Sequence, residues 1–258
     1  MGLRYAGTQT SSPSEPIWKV TEPGPLNYLG VFAKIVWHPR PYNCPLICKE
    51  GYSQHPVQLQ GAGGRAAAFK FDVTDKASVR HGIHEIEAKL GPLDVIVNNA
   101  TGPQPFIPIE AQSWDDHLDQ LRFFVKAPLL ILQEVLPAWK ARRSGKVINI
   151  GSEVVDMGNP EFAHYVGAKA AMVGLTRSFA TELGPFGITA NVVAPGFIPV
   201  ARHADVTEDE REAYRRLVPL GYQGKPEDLA GTIVFLASPA ADFITGQTIA
   251  VNGGRTLA

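Results

Sequence analysis

GKVINI (145–150), HYVGAKAAMVGLT (164–176) and ITANVVAPG (188–196) follow one another along the chain. The first and third are short, apolar and rich in β-branched residues, which suits strands buried on both faces. The middle one is longer, runs on to about Leu183 and stops at GPFG (184–187), as a helix does. Strand, helix, strand implies a right-handed crossover and two parallel strands. Working outward, RAAAFKFDV (65–73) and LDVIVNNA (93–100) read as strands around a helix from Asp75 to Leu90, which opens after Thr74 and closes at Gly91. A helical stretch from about Ser113 to Arg143 leads into GKVINI. Beyond it, a polar segment (203–216) precedes the helix PEDLAGTIVFLAS (226–238), and GQTIAVNGG (246–254) supplies a last strand. The alternation predicts a single α/β domain built on a doubly wound parallel sheet.

Composition agrees: 258 residues, 45% hydrophobic and 19% charged, suit one large α/β domain with a full core. A formal net charge of −1 gives no electrostatic reason to expect nucleic acid or an anionic membrane as partner. The substrate should then be a small molecule, or be carried by one. No apolar run is long enough to span a bilayer, and Met1–Thr21 lacks the basic start and apolar core of a signal peptide, so a cytoplasmic location is expected. Cys44 and Cys48, in CPLIC, read as buried thiols in a strand. His81 and His84, beside Glu85 and Glu87, read as a solvated helix face, and no metal site is expected. The first 63 residues are rich in Pro and carry one helical pattern, NYLGVFAKIVW (27–37). Residues 1–15 are expected to form a flexible tail and 16–258 the domain.

Within this frame Tyr165 and Lys169 stand one helical turn apart, so phenol and ammonium project from the same face. A nearby positive charge favours phenolate and brings the phenol towards a working pH at which it can exchange a proton with a carbonyl oxygen. Ser152 falls just after GKVINI, at the C-terminal end of a strand, where open parallel sheets bind their ligands. On its own, a Tyr and a Lys at this spacing could equally be a surface pair.

Further motifs appear in order: DVTD (72–75), NNA (98–100), INIGS (148–152), MGN (157–159), YVGAK (165–169), APG (194–196), GKPEDLA (224–230) and TGQTIAVNGG (245–254). With this set, the chain over about 60–258 resembles the short-chain dehydrogenase/reductases, and within them the 3-oxoacyl-(acyl-carrier-protein) reductase-like group. The resemblance implies a Rossmann fold and an NAD(P)-dependent oxidoreductase that interconverts a ketone and a secondary alcohol, on a 3-oxoacyl thioester or a related small carbonyl. Tyr165 would be the general acid/base, Ser152 would hydrogen-bond the carbonyl, and Lys169 would tune Tyr165 and hold the nicotinamide ribose. Asp72 and Val73, closing a strand, would receive the adenine. Asn99, Ala100 and Thr101 would line the ribose side, while Pro195, Gly196 and Ile198 would pack against the nicotinamide. Plainer readings stand beside these: Asp72 could cap the next helix, and Asn99 or Pro195-Gly196 could simply turn the chain. The segment 197–222 would form a substrate lid, and the family's helix packing implies a homodimer or homotetramer. Lys49, after the presumed second strand CPLIC, leans the cofactor from NAD towards NADP.

The chain departs from the family at its amino end, which makes the first βαβ unit atypical. Relatives carry T-G-x-x-x-G-x-G, whose glycines let the backbone approach a diphosphate. Here Glu22, Pro23, Pro25, Leu26 and Tyr28 occupy the stretch with only Gly24 and Gly30. Those side chains crowd a diphosphate, which keeps a second reading open: a non-catalytic scaffold or partner subunit that has lost the dinucleotide. The abrupt change near Gly61 also matches a coding discontinuity, such as two compensating frameshifts. Three smaller departures are Phe124 where relatives carry a catalytic Asn, Thr101 for Gly, and Val200 for Thr. Phe124 cannot join a proton relay to Lys169, so slower proton exchange is expected.

Overall fold

The computed structural model describes residues 43–47, 65–199, 203 and 205–257. Strands β1 (Asn43–Ile47) and β2 (Arg65–Phe69) pair in parallel, with Cys44 opposite Ala66, so a strand does lie at CPLIC. Strands β3 (Val95–Asn98), β4 (Gly145–Ile150), β5 (Ile188–Pro195) and β6 (Thr248–Val251) form a second parallel sheet in that order. The expected sections 1–15, 22–30 and 48–63 lie outside the described residues, as does Val200.

The helices are α1 (Lys76–Leu90), α2 (Trp114–Leu121), α3 (Ala127–Arg142), the short α4 (Val154–Met157), α5 (Ala163–Leu183), α6 (Glu208–Arg215) and α7 (Pro226–Ala237). Helix α1 begins and ends where the sequence places it. The Asp75 carboxylate caps the Ser78 N–H and Gly91 closes the last turn at φ 92°, where a Cβ would be strained.

Alternate strand residues face opposite layers, and this makes the sheet doubly wound. Ile96, Val147 and Ala190 pack with Val79 and Ile83 of α1, Ile131 and Trp139 of α3, and Phe179 of α5. Val95, Val97, Ile148 and Val193 turn to Leu236 and Ala237 of α7. Strands covered on both faces must be apolar throughout, which is why GKVINI shows no alternation. Trp139 closes the lower end: its Nε1–H donates to the Leu93 carbonyl at 2.5 Å, and a Cβ at Gly145 would fall on the indole.

Two differences from the sequence reading bear on the site. RAAAFKFDV is strand only to Phe69; Asp72 bends the chain, its Oδ1 accepting from the Thr74 N–H and Oγ1–H at 2.7 and 2.8 Å. The stretch 113–143 is not one regular helix, because a π-helical turn at Arg122–Lys126 separates α2 from α3. Such a turn adds a residue to the helix and redirects one side chain, here Phe124, which is buried.

Candidate active site

Ser152 is fixed through its neighbours. Gly151 N–H donates to the Val193 carbonyl at 2.7 Å and Glu153 N–H to that of Pro195 at 3.0 Å, so the exit of β4 is stitched to the end of β5. A Cβ on Gly151 would approach Val192 Cγ1 to 2.6 Å, so the stitch requires glycine. Ser152 is half-buried, and its Oγ accepts from the Val154 N–H at 3.4 Å.

Tyr165 and Lys169 point inward from the first turns of α5, 8% and 5% exposed. A buried ammonium needs compensation. Lys169 Nζ donates to the Ile150 carbonyl, two residues before Ser152, at 2.6 Å. It also lies 3.8 Å from the Phe124 ring centroid and 5.6 Å from that of Tyr165, within cation–π range. Phe162 stacks on Tyr165 at 4.5 Å and Phe124 meets it edge-on at 5.4 Å, fixing the plane of the phenol. The fold thus brings Ser152, Tyr165 and Lys169 to the C-terminal ends of β4 and β5.

The other expected residues share that edge in part. Asn99, Ala100 and Thr101 follow β3, with Thr101 Oγ1 donating to the Gly102 carbonyl at 3.2 Å and accepting from Gln104. Pro195 ends β5, and Gly196 N–H donates to the Val251 carbonyl at 3.1 Å. Ile198 lies by Gly224, where a Cβ would come within 2.7 Å of its Cδ1. Asp72 and Val73 lie beyond the end of β2 rather than in it: Asp72 holds its own turn and Val73 is buried in the core. Lys49 and residues 22–30 are outside the described residues.

A dinucleotide fits this donor set at its nicotinamide end. The edge offers a buried ammonium and a phenol beside half-exposed, mostly uncharged groups at Asn99–Thr101 and Pro195–Ile198.

Three participants escaped the sequence reading. Phe162 forms the stack on Tyr165. Buried Glu153 and half-buried Tyr214 form a pair, with Tyr214 Oη–H donating to Glu153 Oε1 at 2.8 Å. Burial, together with the adjoining Glu153 carboxylate, pushes the Tyr214 phenol well above its ordinary value of 10. The polar segment 203–216 contains helix α6, which the sequence does announce: Thr207 and Glu210 form a reciprocal capping box. His164, adjoining Tyr165, is buried against Phe162 and His117 at ring distances of 5.6 and 6.2 Å. His81 and His84 are largely exposed, 3.5 Å from Glu85 and Glu134 respectively.

Fold and family model together define an α/β oxidoreductase, with Ser152, Tyr165 and Lys169 at the C-terminal edge of a parallel sheet. The family model described as enoyl-(acyl carrier protein) reductase matches residues 49–256. A 3-oxoacyl-(acyl-carrier-protein) reductase of Staphylococcus aureus is 41% identical over 203 residues, 78% of this chain and 81% of that protein. Among solved structures, a gluconate 5-dehydrogenase from Burkholderia cenocepacia in complex with NADP and tartrate superposes with a TM-score of 0.76 at 32% identity. It covers 84% of this chain and 85% of that one. A blue fluorescent protein from a metagenomic library, in complex with NADPH, gives 0.73 at 31% identity, covering 84% and 88%. The chain belongs to the short-chain dehydrogenase/reductase family. This favours an oxidoreductase over a non-catalytic scaffold.

Proposed function

We propose that this protein is an NADP-dependent ketoreductase that interconverts a 3-oxoacyl thioester, or a related small ketone, and its secondary alcohol. One observation carries the reading: a buried lysine ammonium held on the Ile150 carbonyl, 5.6 Å from the Tyr165 ring and two residues of backbone from Ser152. The relatives support the cofactor, since both solved neighbours named above are complexes with NADP or NADPH. The thioester substrate rests on the Staphylococcus reductase.

When bound, the dinucleotide supplies or accepts the hydride. The chain's residues then have to place a carbonyl, hydrogen-bond its oxygen and move one proton. Ser152 Oγ–H holds the carbonyl oxygen. Tyr165 donates its phenolic proton to that oxygen in the reductive direction and takes it back in the oxidative one. The Lys169 ammonium favours the phenolate that results and reaches the cofactor's ribose. Asn99–Thr101 would hold the cofactor on its ribose side, Pro195, Gly196 and Ile198 on its nicotinamide side, and Asp72 with the Val73 backbone on its adenine side. The described residues of 197–222, helix α6 among them, would serve as the substrate lid.

We place the protein in the cytoplasm as a homodimer or homotetramer. Among the described residues no helix is long and apolar enough to cross a membrane. Light scattering on the purified chain tests the assembly.

The functional reading is tested by titrating NADPH and NADH against the protein, following nucleotide fluorescence and the thermal unfolding midpoint. Binding of NADPH in preference to NADH is expected. No response to either at millimolar concentration overturns the reading.

A further inference from the structure

Helix α6 touches the end of the sheet through one side chain in particular. Tyr214 donates its hydroxyl proton to Glu153 Oε1 at 2.8 Å, and Tyr214 Oη in turn accepts the Phe197 N–H at 2.8 Å. The Phe197 ring stands edge-on to the Tyr214 ring at 5.5 Å and to that of His203 at 4.9 Å. The approach is close: a Cβ on Gly196 would lie 2.6 Å from Tyr214 Oη.

Glu153 follows Ser152 directly, is 4% exposed, and donates its own N–H to the Pro195 carbonyl at 3.0 Å. Among the described residues its Oε2 is buried without a well-aligned hydrogen-bond partner, while the Arg255 charge, the Asn252 side chain and the Phe197 N–H also act on the carboxylate. A carboxylate so withdrawn from water depends on the donors it retains. One phenol hydroxyl therefore joins three pieces of chain: α6, the exit of β4 beside Ser152, and the exit of β5 at Gly196–Phe197.

We infer that Tyr214 is a positioning residue for the reaction, holding the Gly196–Phe197 backbone at a fixed distance from Ser152 through Glu153. This rests on the functional reading above, which sets Ser152 against the ketone and Gly196 against the nicotinamide. A purely structural anchor would stabilise α6 without affecting how a ketone is held. A positioning residue sets both.

Amide hydrogen exchange on the full chain without cofactor, paired with steady-state kinetics, tests it. Tyr214→Phe removes both hydrogen bonds and keeps the ring. Exchange at the Phe197 amide should rise about 3- to 10-fold, the scale of one neutral hydrogen bond. Amides of β3 should be unchanged. The value of kcat/KM for the ketone should fall by a similar factor, with NADPH affinity within about threefold of the wild type. Glu153→Gln keeps the acceptor and should leave the Phe197 amide protected. An unchanged Phe197 amide in Tyr214→Phe, or an unchanged kcat/KM for the ketone, overturns the inference. Should Tyr214→Phe not fold, exchange in the wild type decides. The Phe197 amide must then open in the same step as the amides of α6, and independent opening overturns the inference. Absence of NADPH binding in the wild type overturns the functional reading and, with it, the reaction Tyr214 would serve; a Phe197 amide that stays unchanged in Tyr214→Phe while NADPH binds overturns the inference alone.

Discussion

The Lys169 ammonium lies 3.8 Å from the centroid of the Phe124 ring while donating to the Ile150 carbonyl at 2.6 Å. The ring reaches it because the π-helical turn at Arg122–Lys126 directs Phe124 inward. A desolvated cation–π contact is worth about 1–2 kcal/mol. Phe124→Leu, which keeps apolar bulk but removes the π face, should therefore lower kcat by roughly 5- to 30-fold through a less well held Lys169. Steady-state kinetics with saturating NADPH checks this, and the protein should remain folded.

The chain Asn98–Asn149–Thr176 crosses the core between strands and helix. Asn98 Nδ2 donates to Asn149 Oδ1 at 2.7 Å, Asn149 Nδ2 to Thr176 Oγ1 at 2.8 Å, and Thr176 Oγ1 to the Met172 carbonyl at 2.7 Å. Thr176→Val keeps the shape and leaves the fully buried Asn149 amide without its acceptor. The expected loss is about 1–3 kcal/mol, read as a shift of the urea midpoint with an unchanged slope.

Burial holds the Glu153 carboxyl above its ordinary value of 4.5, opposed by the Tyr214 hydrogen bond and the Arg255 charge. A carboxyl raised in the folded state contributes stability that is complete below its unfolded value and is lost as pH rises through the folded one. Glu153→Gln, which cannot ionise, should thus gain stability over the wild type as pH rises from the carboxylate range to neutrality. The gain should vanish in acid. Urea unfolding of both proteins across that range measures the difference.

His164 behaves in the opposite sense. Burial, aided by the neighbouring His117, pushes its imidazole below the ordinary 6.5. A depressed value in the folded state gives stability that is present above the unfolded value and is lost as pH falls through the folded one. The wild type should therefore weaken as pH drops below the usual histidine range. His164→Asn should flatten that part of the profile, as followed by thermal unfolding.

Much of this was legible in the sequence because burial leaves simple marks. GKVINI and ITANVVAPG are covered on both faces, so unbroken apolar runs gave them away as parallel strands, and Gly91 marked the end of α1. The placement of Tyr165 over Lys169 followed from helical spacing alone. Other features left no periodic trace. The π turn at Arg122–Lys126 depends on how α2 and α3 pack, and helical periodicity runs straight through it. The strand RAAAFKFDV was read too long because Phe71 and Val73 prolong its alternation, whereas Asp72 turns the chain with its own carboxylate. The contact between Tyr214 and Glu153 joins positions 61 residues apart, and no local pattern announces it. Helix α6 itself was announced by its capping box, Thr207 to Glu210, within a segment that read only as polar.

The most direct test of the central claim, that Tyr165 passes the proton during NADP-dependent ketone reduction, is single-site removal of its hydroxyl. NADPH consumption with a 3-oxoacyl thioester is measured for the wild type and Tyr165→Phe, alongside NADPH binding by fluorescence. The account predicts turnover in the wild type and a fall of about 10²–10⁴ in the variant, with binding largely intact. Turnover retained in Tyr165→Phe would contradict it.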